Sequence, residues 1–489
     1  MNINTPFFPA LRTCLAPLGS RIKSTVGDLG QATLCQIEER FGPALAPSLL
    51  RKPKTKDHSR ERIFSRHRTF WCWIWQILQG NTSCREVVRQ VQVLFAAHAR
   101  ARVHPGTGAY CKSRSKLPLA LMEQAFVSTA AQAEKDAPGS RLLQGRPLKI
   151  VDGTSLRLPD TPANRAAFPP VRNQHCRLGF PLVKMVAIFS AASGAILGRA
   201  VARFDQSENR LLKSLRDVLR KGDVLMGDRH FGYYALAAWL QGLGADLLAR
   251  VPTHSRRVDF RKACKRLGHR DARFVWRKPC KVATYFSARE WAALPEQITV
   301  RVLSKTVATP GFRTREITLV TTLLDPQLYP AKELFAAYLK RWRLELCLDD
   351  LKTTLGMEML SARSPRQVQK EILAFLSAHN LIRWIMVHAP GDLERLSFKG
   401  TLDGFRQWSI ALAQIKGKKK ETMRALLWRD FLAVVAADGV PSRPGRREPR
   451  AVKKRSQYPL LQRPRGIYVE PLSRTKRRIL ANAMKPPKA

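Results

Sequence analysis

The chain has 489 residues, and its 45% hydrophobic content is enough to bury a large core, which excludes disorder throughout. Its 86 Lys and Arg against 37 Asp and Glu leave a formal net charge of +49, so a polyanion is the expected partner. No secretory leader, lipidation motif or uncharged apolar span of about 18 residues occurs, so the expectation is a soluble cytoplasmic protein without membrane attachment.

Residues 1–62 form a basic segment. Between Arg51 and Arg68, Lys or Arg stands at 51, 52, 54, 56, 60, 62, 66 and 68, opposed by Asp57 and Glu61. Residues 63–145 read as a helical domain: Phe70, Ile74, Ile77 and Leu78 make one stripe, and "NTSCREVVRQVQVLF" opens on the cap-competent Asn81, Thr82 and Ser83. Arginines at its exposed positions favour DNA binding over a purely structural role.

The texture changes at Leu148. "LKIVDGTSLRL" predicts a short strand interrupted at Asp152-Gly153, and "PLVKMVAIFSAASGAILGRAVARF" predicts two strands joined near Ser193-Gly194. "SENRLLKSLRDVLR" predicts a helix capped by Ser207, "DVLMGDRHF" a strand running into Gly227-Asp228, "GYYALAAWLQGLG" a helix and "ADLLARVP" a strand. That succession over 146–255 indicates a mixed α/β layer. Residues 256–330 are basic and strand-rich, in "VATYFSA", "QITVRVLSKTV" and "REITLVTTLLD"; residues 331–390 return to helix. The last part, 391–489, is a helical region ending in a tail that carries 15 Lys or Arg, two Glu and eight Pro from Pro441 onward, and is expected to be flexible.

Nine cysteines, at 14, 35, 72, 84, 111, 176, 264, 280 and 347, are scattered and contain no Cys-x-x-Cys, so neither a disulfide framework nor a zinc ribbon is supported. Cys264, His269 and Cys280 lack a fourth ligand at suitable spacing. The thiols suit a reducing cytoplasm.

The segment "YLKRWRLELCLDDLKTTLG" carries the most chemistry. Leu344, Leu348, Leu351 and Leu355 recur on one face of a helix, and Tyr338, Arg341, Glu345, Asp349 and Lys352 fall in an arc of roughly 80° beside it. An ordinary solvated flank would pair Arg341 with Glu345 and Asp349 with Lys352. Two further carboxylates, Asp152 and Asp228, stand at apparent strand ends beside glycines, where they serve as turn formers or as site residues on a rigid sheet edge. Three carboxylates gathered there would repel in pairs by roughly 4 kcal/mol at 4 Å and an effective dielectric of 20. Oxygen-only ligation of that kind suits two Mg²⁺ or Mn²⁺ ions.

The spacing Tyr-x2-Arg-x3-Glu-x6-Lys, in Tyr338, Arg341, Glu345 and Lys352, resembles the signature of bacterial DDE transposases of the insertion-sequence-four family. "VDGTS" and "GDRHF" look like the segments that supply that family's first and second aspartates, and the match extends over 148–388. The resemblance implies an α/β fold with a ribonuclease-H-like catalytic core, in two parts at 146–255 and 331–390, interrupted by the β-rich insertion. It implies Asp152, Asp228 and Glu345 as catalytic ligands of the two ions, with Tyr338, Arg341 and Lys352 on DNA phosphates. Arg229, adjacent to Asp228, is a further candidate DNA contact or an ion-pair partner. The partners implied are double-stranded DNA, as transposon-end inverted repeats and target, and a second protomer in a synaptic complex, in the bacterial nucleoid. Trp276 and Trp291 lie in the insertion without a motif that assigns them a role in a hairpin intermediate. Two other classes stay open: a catalytically inactive descendant acting as a DNA-binding repressor, and a tyrosine-type recombinase with Tyr338 as nucleophile.

Overall fold

One nine-stranded sheet organises the computed structural model, in the order β3-β2-β1-β4-β5-β9-β8-β7-β6 among the described residues. Those residues are 41–45, 48–54, 57–58, 62–97, 102–137, 143–170, 179–252, 258–307, 315–393, 395–415 and 420–440. Most of the basic N-terminal segment and the whole tail from 441 lie outside them.

Strands β1 (Leu148–Arg157), β2 (Leu182–Ser190) and β3 (Ile196–Arg203) form an antiparallel meander, with Gly194 at φ +73° in the turn where the sequence predicts one. Strands β4 (Val224–Gly227) and β5 (Asp246–Arg250) then add parallel to β1. The basic segment that follows contributes β6 (Lys265–Gly268), β7 (Asp271–Arg277), β8 (Gln297–Val307) and β9 (Arg315–Thr321), and β9 pairs antiparallel with β5, so these strands extend the same sheet.

Among the described residues, the helices α1 (Arg66–Leu78), α2 (Cys84–Ala97), α3 (Gly108–Lys116) and α4 (Leu119–Lys135) precede the sheet. Ser83 caps α2, its hydroxyl accepting from Glu86 N at 3.2 Å, as its position before the apolar run predicts. Within the α/β part lie α5 (Pro162–Ala167), α6 (Glu208–Lys213), α7 (Tyr234–Gly242) and α8 (Ala288–Ala292). After the sheet come α9 (Ala331–Asp349), α10 (Pro365–His388), α11 (Phe398–Gln414) and α12 (Lys420–Ala437). No helix among the described residues is long and apolar enough to cross a membrane.

Strand alternation divides the core in two. Leu148, Ile150, Val224, Met226 and Leu248 face α9, α10 and the N-terminal helices, in a hydrophobic cluster continuous from Phe41 to Val435. Val151, Leu225, Leu247 and Ala249 face α6 and α7 on the other side. Helix α10 is the spine of the larger layer. Its buried Asn380 acts as a surrogate strand for β3: Oδ1 accepts from Ile196 N at 2.8 Å and Nδ2 donates to Ile196 O at 3.0 Å.

Four expectations are corrected. Strand β1 does not stop at Asp152-Gly153 but pairs with β2 through Arg157, because Gly153 serves close packing: a Cβ there would stand 2.6 Å from Oε1 of Glu208. "VATYFSA" is not a strand. Its Phe286 packs edge-on to Trp291 at 5.7 Å between centroids, and Ser287 begins α8 with a capping box, so its aromatic content reflects burial rather than pairing. The helix after Ser207 is shorter than predicted, ending at Lys213, with a separate 3₁₀ turn at Arg216–Val218. The helix from Tyr338 also fails to run unbroken to Gly356: α9 closes at Asp349 and a π turn spans Asp350–Thr354.

Replacing Asn380 with Leu keeps side-chain volume but strands Ile196 N–H and C=O in the core. A loss of about 1–3 kcal/mol for each orphaned group is expected, measurable as a lowered midpoint in urea unfolding.

Candidate active site

The register of three parallel strands builds the site. Leu148 pairs with Val224 and Ile150 with Met226, so continuing the pairing by two residues sets Asp152 level with Asp228. On the next strand Gly227 pairs with Ala249, and one step further sets Asp228 level with Arg250. Neighbouring strands lie about 4.8 Å apart, and level residues of parallel strands share a face. Asp152 and Arg250 have the parity of Ile150 and Leu248, which is the α9 face. Helix α9 packs against β1, β4 and β5, the strands that carry or lead into these three residues.

Local hydrogen bonds fix both carboxylates. Asp152 Oδ1 accepts from Gly153 N at 2.8 Å. Asp228 Oδ1 accepts from His230 N at 2.8 Å, a turn-forming contact, and its Oδ2 lies 3.0 Å from His230 Nδ1. Burial pushes the Asp152 carboxyl up to about 6; the Gly153 N–H and the Arg341 guanidinium oppose the rise, and the negative charges of Asp228 and Glu208 add to it.

Helix α9 brings the cations. Tyr338 and Arg341 are buried, 4% and 9% exposed, with the guanidinium 5.7 Å from the phenol centroid. Burial raises the Tyr338 phenol, while Arg341, by charge and hydrogen bond, and then Arg250 hold it down and Asp228 adds to the rise. Glu345 lies on α9 one turn beyond Arg341, and its side chain is outside the described residues. The same is true of Leu344, whereas Leu348, Leu351 and Leu355 are buried as their spacing predicts.

Past the end of α9, the π turn carries Lys352. Lys352 lines a cavity of about 400 Å³ with Gly153, Thr154, Leu346, Leu348 and Asp349. Asp349 accepts a hydrogen bond from Thr353 Oγ1 at 3.0 Å. Arg383 of α10 anchors this end of the helix, donating to Cys347 Sγ at 2.8 Å and to Asp350 Oδ2 at 3.3 Å. Arg229 is exposed in the loop after β4, beside Asp228.

The structure thus gathers Asp152, Asp228, Tyr338 and Arg341, sets Lys352 against the Gly153 end of the same cleft, and leaves Arg229 on its rim. Sequence reading missed Arg250, Glu208 and His230. For Arg250 a signal existed: it ends the apolar strand "ADLLAR" as Asp228 follows "DVLMG". Glu208 and His230 gave none, since a first-turn glutamate and a loop histidine are common.

Among the described residues no group of three His, Cys, Asp or Glu is set to hold a metal ion. The two aspartates offer oxygen donors alone, the type preferred by Mg²⁺ or Mn²⁺, and their mutual repulsion is what a cation between them would relieve, so this part of the donor set fits a hard divalent ion.

Residues 143–381 match the family profile of the transposase DDE domain. That stretch is similar to a DDE transposase domain, and the relatives that resemble the chain are transposases of bacterial insertion sequences. It is similar to transposase InsG for insertion sequence element IS4 of Escherichia coli strain K12, 27% identical over 414 residues, covering 82% of this chain and 88% of that protein. It is also similar to putative transposase InsZ of the same organism, 25% identical over 163 residues, covering 32% of this chain and 52% of that one. Among solved structures, the piggyBac transposase synaptic complex with hairpin DNA aligns at a TM-score of 0.37 and 8% identity, over 84% of this chain and 80% of that chain.

The raised Asp152 carboxyl has a pH signature in metal-free protein. With a folded value of about 6 against an unfolded value of about 3.9, its ionisation penalty is absent below about pH 4 and grows in as pH rises through 6. Asp152→Asn is therefore expected to unfold at higher temperature than the parent at pH 8 in EDTA, and the gap to close by pH 4.

Proposed function

We propose that this chain cuts DNA at the ends of its mobile element and joins the freed ends to target DNA, with Asp152, Asp228 and Glu345 as the catalytic triad. The observation that carries the reading is the register that levels Asp152 with Asp228 beneath α9, the helix bearing Glu345. The strand order and directions of β1 to β5 support a ribonuclease-H-like core, and β6 to β9 support a β-rich insertion between the second aspartate and the glutamate. We take 63–145 as the helical DNA-binding part, 256–330 as the insertion, and 391–489 as a helical region with a basic tail.

Asp152, Asp228 and Glu345 would hold two Mg²⁺ or Mn²⁺ ions, which when bound supply activation of an attacking oxygen and charge neutralisation at the leaving one. The protein's own groups do the rest. Arg341 is suited to fork onto a phosphate, its guanidinium held under the sheet by the ring of Tyr338. Tyr338 can donate its hydroxyl, and Lys352 delivers a point charge from the π turn. Arg229, exposed at the rim, contacts the incoming backbone, and Arg250 adds a cation beside Asp228.

Tyr338 is a poor candidate nucleophile, because it is buried and its phenol is raised, which supports hydrolysis and strand transfer over a covalent recombinase. Double-stranded DNA is the partner; two protomers pairing two ends, in the bacterial nucleoid, complete the reading.

In Mg²⁺, Asp152→Ala, Asp228→Ala and Glu345→Ala are each expected to lower cleavage of end-containing DNA by at least about a thousandfold, equivalent to about 4 kcal/mol, while end binding persists. Undiminished nicking by all three, or a phosphotyrosyl adduct, would sink the assignment. If about 6 to 10 phosphates are neutralised, end affinity should fall by about 10³ to 10⁵ between 50 and 200 mM salt, measurable by fluorescence anisotropy.

A further inference from the structure

Away from the cleft, the junction of α1, α2 and α3 holds a polar cluster that transposition chemistry does not use. Cys84 is the first residue of α2, where the dipole of a helix N-terminus favours a thiolate. Two donors converge on its sulfur. Arg114 Nη1 of α3 lies 3.6 Å away and Gln76 Nε2 of α1 lies 3.8 Å away. The thiol of Cys111, one turn before Arg114 on α3, neighbours Cys84 closely enough that each thiol shifts the other's ionisation.

The cluster is braced. Gln76 Oε1 accepts from Tyr110 OH at 2.9 Å and from Arg114 Nη1 at 3.2 Å, while its Nε2 also donates to Thr82 O at 2.6 Å. The Arg114 guanidinium stacks over Trp73 at 4.1 Å. Cys84 is half-buried and Cys111 is exposed, so a small solute can reach the pair. The two thiols are perturbed in opposite directions: the neighbouring Cys111 chiefly pulls Cys84 down to about 6 against its burial, and Cys84 chiefly pushes Cys111 up. Buried Cys72, one helix away, is driven up to about 12 and is inert by comparison.

The geometry points to Cys84 and Cys111 as a peroxide-reactive dithiol that closes reversibly to a disulfide between α2 and α3. The Cys84 thiolate attacks one oxygen of a hydroperoxide such as H₂O₂, the O–O bond breaks, and the products are Cys84 sulfenic acid and hydroxide. The hydroxide takes the Cys111 proton. The Cys111 thiolate then attacks the Cys84 sulfur, the S–O bond breaks, and the departing hydroxide is protonated to water. Two thiols are oxidised by two electrons, and the peroxide is reduced to two waters. A disulfide that opens again in reducing conditions agrees with a cytoplasmic setting.

The test uses the full-length reduced protein with one equivalent of H₂O₂, quenched with an alkylating reagent and read by peptide mass mapping. The expected product is the Cys84 peptide joined to the Cys111 peptide, two hydrogens lighter than the pair and released by dithiothreitol. Cys84 should be consumed at least about tenfold faster than the exposed thiols of Cys264 and Cys280, as a thiolate outpaces thiols. Cys111→Ser should halt the reaction at a Cys84 sulfenic acid trapped by dimedone, and Cys84→Ser should leave Cys111 unoxidised at the same dose. Equal consumption of Cys84 and Cys264 in the parent, or oxidation of Cys84 without a link to Cys111, would overturn the proposal.

Discussion

Parallel pairing of β1 with β4 forces two carboxylates to within about one strand spacing of each other, on a face already committed to burial. Water cannot screen them well there, so the fold meets the repulsion by other means. Asp152 binds its proton more tightly, Arg341 leans in from α9, and Arg250 stands level with Asp228 on the far strand. Each response is a consequence of the register, and a slip of one residue would turn Asp152 to the α6 face and dismantle the arrangement. The site is therefore specified by main-chain hydrogen bonds before any side chain is placed.

Helix α10 then fixes what α9 presents. It grips β3 through Asn380, and through Arg383 it holds the end of α9 and the start of the π turn. Glu371 accepts from Ser361 N at 3.0 Å and Ala362 N at 2.8 Å, which pins the chain emerging beyond that turn. Because Lys352 lies between these anchors, its place against Gly153 and Thr154 is set by contacts that no residue of the signature makes.

Periodicity made much of this readable. The span of β8 coincides with "QITVRVLSKTV" and α10 with its long apolar face, and Leu348, Leu351 and Leu355 are buried although the last two lie beyond α9. What failed depends on partners distant in sequence. Gly153 looked like a turn residue because nothing in its neighbourhood announces a glutamate carboxylate from α6 lying over its Cα. The aromatic pair Tyr285 and Phe286 looked like a strand because burial and β pairing select the same residues. Arg250 had a signal at the end of its apolar strand, but the dithiol of Cys84 and Cys111 became visible only when the packing of helices brought separate segments together. Glu345 was named from the signature alone; its helix packs against β1, β4 and β5.

The hydrophobic cluster that runs without a break from Phe41 to Val435 ties the fate of both ends of the chain to its middle. Removing a segment that contributes to this cluster, such as α11 and α12, would uncover apolar surface on α10 and open the remainder to proteolysis.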